Sequence, residues 1–311
     1  HTHQYADIAR HLFLEFRAQG LGIAAYFSKP DWHCPWYWAA GMDLPVGHWR
    51  NPTYDVREHP ELWEQFVRFT HAQMMVLVER YGRLEILWLD GGQVRPQNGQ
   101  DIRLGELAAR ARAVQPWLLF ADRTVGGPYE NYITPEQTVP EEPLRVPWES
   151  CITIGTSFSY RYDDTYKSPR QLVHLLVDIV CKGGNLALNL GGMPDGRLPE
   201  PGMRAALGMG EWLKQNGETI YGTRICAPYR QERFGFTRRG GERYAIYCLP
   251  EGECLPQTLL VPMRASGVRL VADGRPLACE AADGGTRVFL PADVAGSAPL
   301  ALALCMGEGE F

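Results

Sequence analysis

No apolar run in the sequence approaches the ~20 residues that a membrane-spanning helix needs, so no transmembrane segment and no membrane partner are expected. Basic blocks are missing too. The 31 Lys and Arg are outnumbered by 36 Asp and Glu, for a net charge of -5, which sets nucleic acid aside as a partner. The eight cysteines are scattered, with no CxxC pair and no metal-finger spacing. They are expected to be mostly buried, reduced thiols of a soluble protein in a reducing compartment such as the cytoplasm. A signal-peptide pattern is also absent. The eight histidines form no HxxxH, and their only HxH is His1-Thr2-His3 at the start, so no metal is expected. No GxGxxG follows a strand, no phosphate-binding GxxxxGK[ST] occurs, and no GxSxG marks a nucleophile elbow. Dinucleotide, P-loop and α/β-hydrolase chemistry are thereby disfavoured, and no cofactor is implied.

What is present is an ordinary globular composition, 45% hydrophobic over 311 residues, long enough for one large domain and a smaller one. Helical spacing of Ile8, Leu12, Phe13 and Phe16 predicts a helix from Asp7 to Gln19, stopped by Gly20. Further helices are predicted over Glu61–Arg80, Asp101–Val114, Arg170–Lys182 and Pro201–Asn216. Between them lie five apolar segments, Gly22–Ser28, Arg83–Asp90, Trp117–Asp122, Cys151–Ile154 and Asn185–Leu190. Strands alternating with helices imply an α/β fold with a parallel sheet. After about Thr223 the pattern changes to short strands separated by Gly, Pro and Asp turns, the signature of a small antiparallel β-sandwich. Two domains are therefore expected, 1–223 and 224–311.

Arg83–Asp90 organises the search for chemistry. It climbs through Leu84, Ile86, Leu87 and Leu89 and breaks at Gly91-Gly92. A carboxylate at the C-terminal end of a parallel strand lies where α/β barrels place their active sites. Period-two alternation puts Trp88 and Asp90 on one face. Asp before Gly is also ordinary turn chemistry, so the strand alone leaves both readings open. Arg123 ends the next strand. The irregular segment after it carries Glu130, Glu136, Glu141, Glu142 and Glu149. Two carboxylates flanking one bond, walled by aromatics, is the layout of a glycoside hydrolase.

An ordered series of motifs sharpens this. It runs Tyr26-Phe27-Ser28, Trp88-Leu89-Asp90, Asp122-Arg123, Thr134-Pro135-Glu136, Pro147-Trp148-Glu149-Ser150-Cys151 and Ser157-Phe158-Ser159-Tyr160. It continues through Lys182-Gly183-Gly184-Asn185-Leu186-Ala187-Leu188-Asn189-Leu190-Gly191 and the stretch from Gly210 to Thr223. Together these resemble the family 29 glycoside hydrolases, the α-L-fucosidases. The resemblance implies a retaining exo-glycosidase on a (β/α)8-like barrel with a C-terminal β-sandwich, acting on fucosylated glycans. It makes Asp90 the nucleophile and Glu136 the acid/base, with Glu149 and Glu130 as rivals. Tyr26, Trp88, Arg123 and Phe158 would line the sugar site. Asn189, Gly191 and the Lys182-Gly183-Gly184 turn are taken as architecture.

The departure is at the front, where the family's further strands, and the histidines on them that hydrogen-bond the sugar, have no counterpart. Five strands do not close an eight-stranded barrel. The expectation is a partial barrel lacking its first strands, with an open sheet edge and exposed apolar surface. Two other readings stay open: a catalytically silent carbohydrate-binding protein, and a glycosidase for a related galacto-configured sugar.

Overall fold

The computed structural model describes residues 6–42, 45, 47–294 and 299–306; the His1-Thr2-His3 motif lies outside them. The chain forms two compact units, residues 1–134 and 135–311.

The first unit contains α1 (Ile8–Ala18), β1 (Ala24–Ser28), α2 (Pro60–Arg80), β2 (Ile86–Asp90), α3 (Leu104–Val114) and β3 (Leu119–Asp122). Pro60 opens α2 at its first turn, where a missing N–H costs nothing. The three strands pair in parallel in the order β1-β2-β3. One face of this sheet, carrying Ala25, Leu87, Leu89 and Phe120, shares a core with Phe66, Met74 and Val78 of α2 and Leu107 and Ala111 of α3. Leu87 and Leu89 are fully buried, and each such side chain contributes about 1.5–3 kcal/mol. The other face carries Tyr26, Trp88 and Ala121, which are partners in register.

The apolar stripe on α1 is not buried. Ile8, Leu12 and Phe16 are exposed, and only Phe13 packs against the core. The helix is held instead by polar contacts, Arg17 donating to the carbonyls of Tyr81 and Arg83 and the Tyr81 hydroxyl donating to Asp7. The second strand is also shorter than expected, starting at Ile86. Before it, Leu84 N–H donates to the Gln115 side chain and Glu85 N–H to the Ile23 carbonyl.

The second unit begins with β4 (Glu149–Thr153), α4 (Pro169–Cys181), β5 (Asn185–Asn189) and α5 (Glu200–Asn216). β4 and β5 pair in parallel. Ser168 and Gln171 make a reciprocal capping box at the start of α4, which satisfies two otherwise unpartnered N–H groups. The strands after α5 are antiparallel and divide between two sheets. They are β6 (Arg224–Gln231), β7 (Phe234–Arg239), β8 (Glu242–Tyr247), β9 (Thr258–Val261), β10 (Gly267–Leu270), β11 (Pro276–Leu277), β12 (Cys279–Ala282), β13 (Gly285–Phe289) and β14 (Leu300–Cys305), with a turn of 3-10 helix at Ala292–Val294. A six-stranded sheet runs β11-β10-β14-β8-β7-β6 and a three-stranded sheet runs β12-β13-β9.

Phe236, Ala245 and Leu302 of the larger sheet meet Leu259 and Val288 of the smaller one in a shared core, so the two sheets make a sandwich. On the larger sheet's opposite face, Tyr244, Ile246, Ala301 and Ala303 pack with Leu172 and Val173 of α4 and Met209 of α5. That sheet is therefore apolar on both sides.

Among the described residues β1 and β5 are edge strands, and no helix is long and apolar enough to cross a membrane. The eight cysteines are thiols, outside any disulfide. Cys34, Cys181 and Cys226 are buried, while Cys254 and Cys305 are exposed, so the expectation of mostly buried thiols fits only part of the set.

Candidate active site

Parallel pairing brings the C-terminal ends of β1, β2 and β3 to one edge of the first unit's sheet. Register sets Tyr26 beside Trp88 and Ser28 beside Asp90. The Tyr26 and Trp88 rings stack, 5.1 Å apart at 25°. The Tyr26 hydroxyl donates to Asp90 Oδ2 at 2.6 Å. Arg123, one residue past β3, donates from Nη1 to Asp90 Oδ1 at 3.0 Å, and its guanidinium lies over the Trp88 ring at 4.8 Å. Thr134 Oγ1 accepts from Arg123 Nε at 3.3 Å. Both oxygens of Asp90 are thus oriented by donors from the two flanking strands.

Burial works against charge on Asp90, but the Tyr26 hydroxyl, the Gly91 N–H and Arg123 outweigh it, and the carboxyl is held below its ordinary range. Tyr26 moves the opposite way. Partial burial, reinforced by the carboxylate it donates to, pushes the phenol up to about 12. The pair is therefore a charged acceptor and a protonated donor at neutral pH.

Gly91 is required by the packing as well as by its backbone. Its φ is +89°, and a β-carbon there would sit 2.3 Å from Pro30 Cδ. Asp-Gly is thus a strand end as well as a turn: the same glycine lets the β1 and β2 loops close together under the carboxylate.

Behind the sheet lies a feature not anticipated from the sequence. Lys29 and Asp122, the residues next to Ser28 and Arg123, point toward the helix side. They pair at 2.5 Å, with side chains 1% and 9% exposed. Lys29 Nζ also donates to the Val94 carbonyl at 3.0 Å, and Lys29 N–H to the Asp90 carbonyl at 3.0 Å. Burial pushes the ammonium down and the carboxyl up, and each ion opposes the other's neutralisation. The bond links the ends of β1 and β3 across β2, the strand that carries Asp90.

The three glutamates differ in setting. In the first unit, Glu130 accepts from Thr124 N–H at 3.0 Å and Gly126 N–H at 2.8 Å. Its two oxygens thus close the turn after β3. Glu136 and Glu149 belong to the second unit. Glu149 opens β4, half buried, opposite Asn185. Glu136 is exposed and forms a parallel bridge with Cys151, which places it on the same face of β4 as Glu149. Asn189, set aside as architecture, ends β5 on that face, and its buried Oδ1 has no hydrogen-bond partner among the described residues. Phe158, expected in the sugar wall, is 40% exposed on a loop whose main chain packs against Gly191.

A family model described as alpha-L-fucosidase matches residues 1–218. The alpha-L-fucosidase of Dictyostelium discoideum is 27% identical over 240 residues, covering 74% of this chain and 48% of that protein. Tissue alpha-L-fucosidase of Homo sapiens is 31% identical over 263 residues, 78% of this chain and 51% of that protein. The chain spans about half the length of these relatives. Among solved structures, alpha-L-fucosidase isoenzyme 1 from Paenibacillus thiaminolyticus superposes with a TM-score of 0.80 at 26% identity, covering 97% of this chain and 76% of that one. The alpha-fucosidase of Thermotoga maritima in complex with fucose gives a TM-score of 0.69 at 25% identity, covering 95% and 67%. Since the family model takes in most of its length, this chain belongs to the alpha-L-fucosidase family.

Proposed function

We propose that the chain carries the catalytic machinery of a retaining exo-α-L-fucosidase, with Asp90 as nucleophile and Glu136 as acid/base. The observation that carries this reading is the doubly oriented, ionised Asp90 at the C-terminal end of a parallel strand, beneath a stacked Tyr26–Trp88 pair. Nucleophilic displacement at a sugar carbon needs a charged carboxylate held in one rotamer. Tyr26 and Arg123 supply both requirements.

In the first step an Asp90 oxygen bonds to the anomeric carbon as the glycosidic C–O bond breaks, and the leaving oxygen takes a proton from the acid/base. In the second step the same group, now a carboxylate, takes a proton from water as the water oxygen displaces Asp90. Glu130 suits this alternation poorly, because both its oxygens accept from the main chain. Glu149 is the rival of Glu136 on the same strand face.

We place the parallel strands in a (β/α)8-type barrel, partial in this chain. We assign 1–223 to a catalytic domain and 224–311 to a β-sandwich domain, because every parallel strand precedes Thr223 and every antiparallel strand follows it. A terminal fucosyl group on a glycan is the substrate; its 6-methyl group and apolar ring face suit aromatic walls.

Release of nitrophenol from 4-nitrophenyl α-L-fucoside tests the reading. Turnover with α-L-fucose as the first-formed anomer, lost in Asp90→Ala and restored by azide in Glu136→Ala, is the expected result. Full activity in Asp90→Ala or a β-anomer product would overturn the mechanism. Fucose binding without turnover would favour a silent carbohydrate-binding protein, and preference for an α-galactoside would move the specificity.

A further inference from the structure

Glu136 owes its place to the residue after it. The Pro135 carbonyl accepts from Cys151 N–H, and Gln137 N–H donates to the Cys151 carbonyl, both at 2.9 Å. These two bonds make the parallel bridge that sets Glu136 beside Cys151. A parallel ladder would continue with Thr153 N–H donating to the Gln137 carbonyl. The chain turns back instead. Gln137 has φ +54°, in the left-handed region that few residues other than glycine and asparagine enter. One residue on, the Thr138 carbonyl accepts from Ser150 Oγ at 2.8 Å. Thr153 is 2% exposed, so its N–H needs an acceptor inside the protein. The Gln137 side chain provides one: Oε1 accepts from Thr153 N–H at 3.4 Å and lies 3.3 Å from Thr153 Oγ1.

A side chain thus stands in for the main chain at the last rung of this short ladder. Glycine would make the same turn without strain but would bring no acceptor to Thr153. A strained backbone kept in place by a bond of its own side chain, next to the proposed acid, is the kind of outlier that points to a role at the site. Pro135, on the other side of Glu136, has a fixed φ. With its main chain held at both ends, the exposed carboxyl of Glu136 moves only about its own side-chain bonds.

We infer that Gln137 is a positioning residue, whose amide oxygen holds the turn that fixes where Glu136 delivers its proton. This rests on the acid/base role proposed for Glu136. Transfer of that proton to the leaving oxygen depends steeply on placement, a displacement of about 1 Å costing about 10²-fold.

The test is the ratio of kcat/KM for phenyl α-L-fucoside, whose phenolate departs slowly unless protonated, to that for α-L-fucosyl fluoride, which departs as an anion. In Gln137→Gly this ratio should fall about ten- to a hundredfold, within the about 10²–10⁴-fold that a positioned acid supplies. Gln137→Glu, which returns an oxygen of the same reach, should recover most of the loss. In a Glu136→Ala background, Gln137→Gly should lower the ratio no further, because it acts through that carboxyl. An unchanged ratio, whether the two rates hold or fall together, overturns the inference, and so does an equal fall when Glu136 is already gone. If wild type cleaves neither substrate, the fucosidase reading fails separately, and amide hydrogen exchange decides this one. Exchange of the Cys151 and residue-137 N–H groups faster by about tenfold or more in Gln137→Gly upholds the tether; unchanged protection refutes it.

Discussion

Replacing Lys29 with Met removes an ammonium from behind the strand that carries Asp90 while keeping most of the side chain's volume. Asp122, 9% exposed, then has no counter-ion, and the Val94 carbonyl loses its donor. Removing one partner of a buried pair costs about 3–5 kcal/mol. An independent bound comes from proton chemistry. Asp122 can escape its buried charge by binding a proton, which for an ordinary aspartate costs about 4 kcal/mol at pH 7, at 1.36 kcal/mol per pH unit. The two figures agree, so about 3–4 kcal/mol is expected at neutral pH.

The sign with pH follows from the direction of Asp122's displacement. Its folded carboxyl is raised above the unfolded value, further still without Lys29. Stability is therefore greatest below the unfolded value and is lost as pH rises. The penalty of Lys29→Met should shrink by about 1.4 kcal/mol for each unit below pH 7. Urea unfolding at pH 5, 6 and 7, with wild type alongside, measures this. The double variant Lys29→Met/Asp122→Leu should recover at least half the loss, because no buried charge remains. A cost under about 1 kcal/mol at pH 7, a penalty independent of pH, or strictly additive single effects would refute the assignment of this pair as a buried strut.

Two further perturbations address the site itself. Tyr26→Phe removes a donor that keeps Asp90 ionised; with Asp90 as the proposed nucleophile, the acid limb of the kcat/KM profile for an aryl fucoside should move to higher pH, and a limb that stays in place would show that Tyr26 does not set the charge of Asp90. Gly191→Ala would put a methyl group 2.6–3.0 Å from main-chain atoms of Phe158, Ser159 and Tyr160. Backbone does not rotate aside, so about 1–3 kcal/mol of destabilisation is expected, together with slower turnover from a displaced Phe158; wild-type melting and rates in that variant would count against the close packing.

Asp90 was legible because three local signals coincide: an apolar run, an alternation that pairs it with Trp88, and an immediate glycine break. Arg123 was legible by the first of these alone, as the residue that ends the next apolar run. The Lys29–Asp122 pair was not, since its members lie 93 residues apart and each, taken alone, is a charged residue at a strand end. The exposed stripe of α1 shows that periodicity reports which face is apolar, not whether anything covers it. β6 and β7 are hard to read from composition for a local reason. β6 includes Pro228 and β7 has Gly235 as its second residue, both weak strand formers, and charged arginines at 224, 230, 238 and 239 interrupt any apolar run. Pairing of β6 with β7, and of β7 with β8, supplies what their composition does not.

The six-stranded sheet carries one more implication, for how this protein can be cut and recombined. Tyr244, Ile246, Ala301 and Ala303 form the floor on which α4 and α5 rest, while their immediate neighbours Ala245 and Leu302 form the ceiling of the sandwich. Removing everything beyond Thr223 would not trim a dispensable appendage. It would strip two helices bare and leave β4 and β5, with Glu136 and Glu149 beside them, on a foundation that no longer exists. The C-terminal strands are therefore inherited with the upstream helices as one piece, and domain swaps between relatives should succeed only when both travel together.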